Sequence, residues 1–173
     1  MPDKAFIITD MLNDFIDPQG TLYLGPTGED IIAPVKNRIE EMRRQGALII
    51  FICDAHAEDD LEFNMFPAHA IKGQWGAEVI PALAPQPGDQ IVFKTRYSSF
   101  FGTNLEQVLL REGVKEAYLA GVCTSICIIE TVSDLRQRDY PTYVFADAVA
   151  DFDPAAHDYS LKRMETIYGA KLI

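Results

Sequence analysis

Residues 121–127 read GVCTSIC, two thiols four positions apart in a chain that has three cysteines. Such a pair could clip a metal, close a disulfide, or supply one nucleophile and a bystander. An odd cysteine count with no secretory signal points to reduced thiols, which weakens the disulfide reading. A thiol becomes a nucleophile when a cation or a helix N-terminus lowers its pKa. Cys127 opens a predicted helix, and Lys94 closes a predicted strand that can bring an ammonium near it. Cys123 sits at a strand's end, where a small buried hydrophobe serves as well. Read alone, Cys127 also suits a buried position in a helix.

A second group of reactive residues lies in CDAHAEDDLEFNMFPAHAIKG, which holds Asp54, His56, Glu62 and His69. Imidazole and carboxylate together suit Zn, Mn or Fe(II), and the Asp-x-His spacing lets Asp54 and His56 face one ion. Glu58, Asp59 and Asp60 compete with Glu62 as the carboxylate ligand. Histidines and acids scattered through an acidic chain equally suit a solvated loop.

The elements that must position these groups follow from the apolar pattern. KAFIITD, GALIIFICD, DQIVFK, KEAYLAG and PTYVFAD are continuous apolar runs, and AKLI is a short sixth. Between them, EDIIAPVKNRIEEMRRQG, TNLEQVLLREG, SICIIETVSDLRQRD and DPAAHDYSLKRMETIYGA carry apolar residues at helical spacing, with Thr103 and Asp153 as N-caps and Pro154 at N1. Uninterrupted apolar strands alternating with amphipathic helices predict an α/β fold. It is a three-layer αβα arrangement with a largely parallel, roughly six-stranded sheet, in one domain over residues 1–173. Ligands of such sheets bind at the carboxyl ends of the strands. Those ends carry Asp10, then Asp54 and His56, then Lys94, then GVCTSIC, then Asp147. Residues 53 to 88 form a connection long enough to be functional.

The bulk properties narrow the partners. A net charge of -11, with 15 Lys and Arg against 26 Asp and Glu, leaves no basic cluster for nucleic acid or an anionic membrane surface. No apolar stretch approaches the roughly 18 residues of a membrane span. These readings predict a cytoplasmic protein with a small-molecule substrate. Apolar residues on the flanking helices leave a homo-oligomer open.

In this order, ITDMLNDF, FKTRYSSFFGTNL and LAGVCTSICI resemble the isochorismatase-like cysteine hydrolases, in particular the nicotinamidases. The family pattern is D-x-Q-N-D-F, a central K, and G-x-x-T-x-x-C-V. The resemblance implies a triad of Asp10, Lys94 and Cys127. It also implies a cis peptide after Val122 that turns the Cys123 N–H toward that of Cys127 as an oxyanion hole. It makes Asp54, His56, Glu62 and His69 ligands of one divalent ion, zinc first and Mn or Fe second. Phe15, Phe66, Tyr97 and Phe101 match positions where the family places aromatics, so they are the expected pocket walls. Leu12 stands where Gln is usual and Ser125 where Asp is common. The implied activity is hydrolysis of nicotinamide to nicotinate and ammonia through a cysteine thioester, in the service of NAD recycling. The alternative is a sibling hydrolase that acts without a metal on another small amide, ureido or carbamoyl compound. His157 is expected to be exposed, residues 58–60 to be solvated, and Asp147 and Asp151 to cap or turn.

Overall fold

Six apolar runs become strands β1 (Lys4–Thr9), β2 (Leu48–Asp54), β3 (Gln90–Lys94), β4 (Glu116–Val122), β5 (Thr142–Ala150) and β6 (Lys171–Leu172). The structure is a computed structural model that describes residues 2–173. The strands form one sheet in the order β3-β2-β1-β4-β5-β6, and every neighbouring pair is parallel. From β1 the chain winds outward through β2 and β3, then returns to β4 and winds the other way. That reversal opens a crevice between the carboxyl ends of β1 and β4, the place where such sheets bind ligands.

The helices are α1 (Asn13–Ile16), α2 (Pro26–Asp30), α3 (Ile32–Arg44), α4 (Leu105–Glu112), α5 (Ile129–Gln137) and α6 (Pro154–Thr166). Strand alternation sends Phe6, Ile8, Phe51 and Val122 to one face, where Val35, Ile39 and Met42 of α3 cover them. Ile7, Ile50, Ile52 and Leu119 go to the other, under Leu105 and Leu109 of α4, Val132 and Leu135 of α5, and Met164 of α6. Both faces are buried over the central strands, as the uninterrupted apolar runs predict, whereas on edge strand β3 Ile91 and Phe93 stay exposed. The Asp153 cap forms as expected, its carboxylate accepting the Ala155 N–H at 2.8 Å with Pro154 following at N1; at α4 the N-cap is Asn104 rather than Thr103, although the Thr103 hydroxyl accepts the Leu105 N–H at 3.2 Å.

Two elements depart from their sequence reading. The segment after β4 begins as a π turn over Thr124–Ile128 before α5 continues it. The fifth strand does not stop at Asp147 but runs on to Ala150. Its pairing with β4 shifts register between Leu119 and Gly121, and this irregularity leaves Asp147 exposed, 3.3 Å from Arg38. The residue at the strand's end is Asp151, whose carboxylate accepts the Ser125 N–H of the π turn at 2.6 Å. Gly121 has φ 113°, and a Cβ there would lie 2.0 Å from the Thr9 carbonyl oxygen. Only glycine lets β4 approach β1 so closely beside the crevice. Among the described residues no helix is long and apolar enough to cross a membrane.

Candidate active site

Three strand ends deliver the central groups. Asp10 follows β1, Lys94 ends β3, and Cys127 lies in the π turn after β4; all three side chains are buried. Lys94 Nζ donates to Cys127 Sγ at 3.3 Å and lies 2.8 Å from Asp10 Oδ2. The latter contact is an ion pair without the directional geometry of a hydrogen bond. Asp10 Oδ1 accepts the Asp54 N–H at 2.9 Å, and the Asp54 carboxylate takes a short hydrogen bond from Lys94. Strand ends therefore place an ammonium between two carboxylates and a thiol.

The charges of these groups interact strongly. Burial, with the Asp54 charge adding to it, pushes Asp10 up to about 6 against the pull of Lys94. Burial disfavours charge on Lys94 too, yet Asp10 and Asp54 hold its ammonium well above the ordinary value. Burial also pushes the Cys127 thiol well up, with Lys94 pulling it back. At neutral pH this is a protonated thiol beside an ionised carboxylate, the arrangement of a nucleophile and its general base. Cys123 is buried, and its thiol is raised by burial and by Asp151. The peptide joining it to Val122 is cis.

Asp54, His56 and His69 offer ligand atoms that all lie within 4.8 Å of one another. Glu62 Oε1 is 3.9 Å from Nε2 of both His56 and His69. Of the four acids in the loop, Glu58 and Asp59 are exposed and Asp60 stands behind His56. Only Glu62 faces the histidines. The ring nitrogens settle their own protonation. His56 Nδ1 is 3.0 Å from the Asp60 carboxylate and His69 Nδ1 is 2.7 Å from the Pro67 carbonyl. Both partners can only accept, so each Nδ1 carries a proton, and Nε2 is the nitrogen of each ring left to face the cluster.

The residues fit a divalent cation. His56 Nε2 and Glu62 Oε2 are buried with no hydrogen-bond partner, a costly state unless something else ligates them. Burial raises Glu62. Asp10, Asp54 and Glu62 set three carboxylates against the single ammonium of Lys94, an excess of two negative charges. Imidazole and carboxylate donors suit zinc, with Mn or Fe(II) next.

Thiol and ligand cluster share one pocket of about 380 Å³, counted out to its mouth and lined among others by Asp10, Cys127, Asp54, Glu62 and His69. Its apolar lining includes Phe15, Phe66 and Tyr97, together with Leu22, Ile126 and Phe152. Phe101 is not among them: it is 66% exposed. Phe63, overlooked in the sequence, packs its ring 5.5 Å from both His56 and His69. Two more expectations change, and the Leu12 departure has a visible consequence. Asp60 is not solvated but shielded by Arg96 and His56. His157 is half-buried, with Nδ1 2.9 Å from the Thr124 hydroxyl that opens the turn bearing Cys127. Leu12 lies wholly in the core, so the side-chain hydrogen bonds of a glutamine are absent there.

Comparison with known proteins places this arrangement. The isochorismatase domain profile matches residues 4–173. The chain is 34% identical to an uncharacterized isochorismatase family protein, PncA, of Bacillus subtilis, covering 98% of each. It is also 34% identical to a probable inactive nicotinamidase of Arabidopsis thaliana, over 95% of this chain and 89% of that one. Among solved structures, pyrazinamidase of Pyrococcus horikoshii in complex with zinc superposes with a TM-score of 0.93 at 31% identity, covering 99% of each chain. N-carbamoylsarcosine amidase of Thermoplasma acidophilum gives 0.88 at 35%, over 99% of this chain and 95% of that one. The parallel three-layer sheet, with a cysteine, a lysine and an aspartate meeting at its strand ends, and these neighbours mark an amide-hydrolysing enzyme. The chain belongs to the isochorismatase family.

Proposed function

We propose that this chain is an amidase that hydrolyses nicotinamide to nicotinate and ammonia. The observation that carries the reading is the pocket that the Cys127 thiol shares with Asp54, Glu62 and His69 between aromatic walls, with His56 held within 4.8 Å of the Asp54 and His69 donor atoms behind it. In this mechanism Asp10 takes the Cys127 proton, and the thiolate attacks the carboxamide carbon. The oxyanion rests on the backbone N–H groups of Cys123 and Cys127. Lys94 keeps carboxylate and thiolate together without crossing to either. Asp10 returns its proton to the departing ammonia, leaving a thioester. It then takes a proton from a water that attacks the same carbon, and Cys127 leaves as the thiol when the acid is released. A divalent ion held by Asp54, His56, Glu62 and His69 would supply a Lewis-acid position that orients a ring nitrogen.

The pocket's charges weigh against the sibling substrates. An anionic ureido or carbamoyl acid needs a cation to receive its carboxylate. The pocket's lining contains acids and no arginine, and Lys94 is already engaged by Asp10 and Asp54. The test is ammonia release from nicotinamide, benzamide and N-carbamoylglycine, with and without a chelator, in the wild type and in Cys127→Ala and Cys123→Ala. Nicotinamide should lead benzamide by about tenfold or more, the worth of one well-placed polar contact, and lose that lead in chelator. Cys127→Ala should be inactive while Cys123→Ala, which keeps its backbone N–H, retains most turnover. Preference for the carbamoyl acid, with no effect of chelator, would replace this reading with its sibling.

A further inference from the structure

We propose that Asp60, braced by Arg96, is the positioning residue of the ion site, the one carboxylate that sets both His56 and Glu62 for binding. The inference rests on the reading of Asp54, His56, Glu62 and His69 as metal ligands, and it adds a residue that coordinates nothing itself.

Asp60 follows two exposed acids, Glu58 and Asp59, yet its own side chain is only 8% accessible. Oδ2 accepts the His56 Nδ1–H at 3.0 Å. Oδ1 accepts the Glu62 N–H at 2.9 Å, which starts the 3₁₀ turn Leu61–Asn64 that carries the Glu62 side chain inward. Arg96 Nη1 sits 3.0 and 3.1 Å from the two oxygens. A carboxylate with two oxygens can hold several donors at once in fixed directions, and here the donors belong to two of the four ligand residues. The first contact selects the His56 tautomer with its lone pair on Nε2, and the second sets where Glu62 leaves the backbone. Arg96 follows Lys94 by two residues, so the end of β3 that delivers an ammonium to the thiol also delivers a guanidinium to the outer side of the ion site. The guanidinium pairs with Asp60 and also lies 3.9 Å from Glu62 Oε2, yet Asp10, Asp54, Asp60 and Glu62 still outnumber the two cations Lys94 and Arg96 by two, an excess that favours a cation among them.

A purely structural Asp60 would do no more than cap the 3₁₀ turn. The two roles separate in zinc affinity, measured by competition with a chromophoric chelator on the folded full-length protein near neutral pH. Asp60→Ala should weaken zinc by about 10- to 100-fold, the usual cost of removing a hydrogen-bond partner of a ligating histidine. Asp60→Asn keeps one acceptor oxygen and should fall between. A second readout is the tautomer itself: long-range proton–nitrogen imidazole spectra of the zinc-loaded protein should place the His56 proton on Nδ1 in the wild type, with its signal lost or shifted in Asp60→Asn. This arm holds even if the alanine variant fails to fold. Wild-type zinc affinity in Asp60→Ala overturns the proposal and leaves the ligand assignment standing, as does an unchanged His56 spectrum in Asp60→Asn. A wild-type protein that binds no zinc overturns both.

Discussion

Cys127 sits under opposing influences that can be separated residue by residue. Burial and the Asp10 and Asp54 charges disfavour the thiolate, and the Lys94 ammonium 3.3 Å from Sγ favours it. Lys94→Met keeps a stem of similar length and removes the charge, so burial and the two carboxylates act unopposed. The pH profile of Cys127 alkylation by iodoacetamide should move upward by about one to three units, the usual effect of one close opposite charge. Alkylation near neutral pH should slow accordingly. Lys94→Arg keeps a charge with a planar fork that cannot lie compactly between carboxylate and thiol, so it should restore reactivity toward iodoacetamide better than it restores ammonia release. An unchanged profile in the methionine variant would leave Lys94 a bystander and Asp10 the sole partner of the nucleophile.

At the scale of elements, the long connection between β2 and β3 is fastened to the first helix after β1. The Asn13 side-chain amide donates to the Trp75 carbonyl at 2.8 Å. Asp14 Oδ2 accepts the N–H of Ala70 at 2.7 Å, directly after the ligand His69, and Oδ1 accepts that of Thr21 at 3.1 Å. Gly76 packs flat against the Asp14 carboxylate, where a Cβ would come within 2.1 Å of Oδ2. Gly76→Ala must therefore push Asp14 off Ala70 or push the loop outward. Overpacking of this kind costs about 1–3 kcal/mol, so the urea midpoint should fall and the loop should become a target for limited proteolysis. Zinc affinity should fall with it because His69 loses its anchor. A variant with wild-type midpoint and zinc affinity would show that the helix and the loop are not coupled. On the other side of the crevice, the Thr124 hydroxyl donates to the Ala150 carbonyl at 3.1 Å and meets His157 of α6. The turn that bears Cys127 is thereby tied to β5 and to a C-terminal helix.

For the whole molecule, the sheet has no solvent face at its centre. Ile7 and Ile8 are adjacent on β1 and point in opposite directions, the one into the layer of α4, α5 and α6, the other into that of α3. Both are fully buried. Ile7→Ala and Ile8→Ala should each cost about 2–5 kcal/mol in equilibrium unfolding, the range for a large-to-small change in a closed core. A sheet with one wet face would lose stability from only one of the pair, and that outcome would contradict the three-layer arrangement. The same closure explains where chemistry can occur. With both faces and most of the strand lengths covered, the crevice at the carboxyl ends of β1 and β4 is where polar side chains from several strands can meet around a small molecule.

The order of elements and the reactive strand ends were legible in the chain itself. Continuous apolar runs mark strands buried on both faces, helical spacing marks their crossovers, and a parallel sheet puts its ligand groups at strand ends, so Asp10, Asp54, His56, Lys94 and Cys127 could be picked before any coordinates. Glu62 and His69 needed the family resemblance beside the donor chemistry, and the structure brings both to the same space. What the sequence did not contain was the direction each loop residue faces. Loops have no period, so Phe101 looked like a wall and is exposed, while Phe63 looked like loop and packs on both imidazoles. Asp147 looked like a strand end because nothing local signals the register shift that carries β5 on to Ala150. Asp60 in an acidic run and His157 on a polar helix looked solvated. Their partners, Arg96 at 36 positions' distance and Thr124 at 33, come from other elements. Composition and periodicity act over a few residues and decide the elements; which charges are buried together, and so which pKa values move, is decided by contacts between residues far apart in the chain that form only when the layers close.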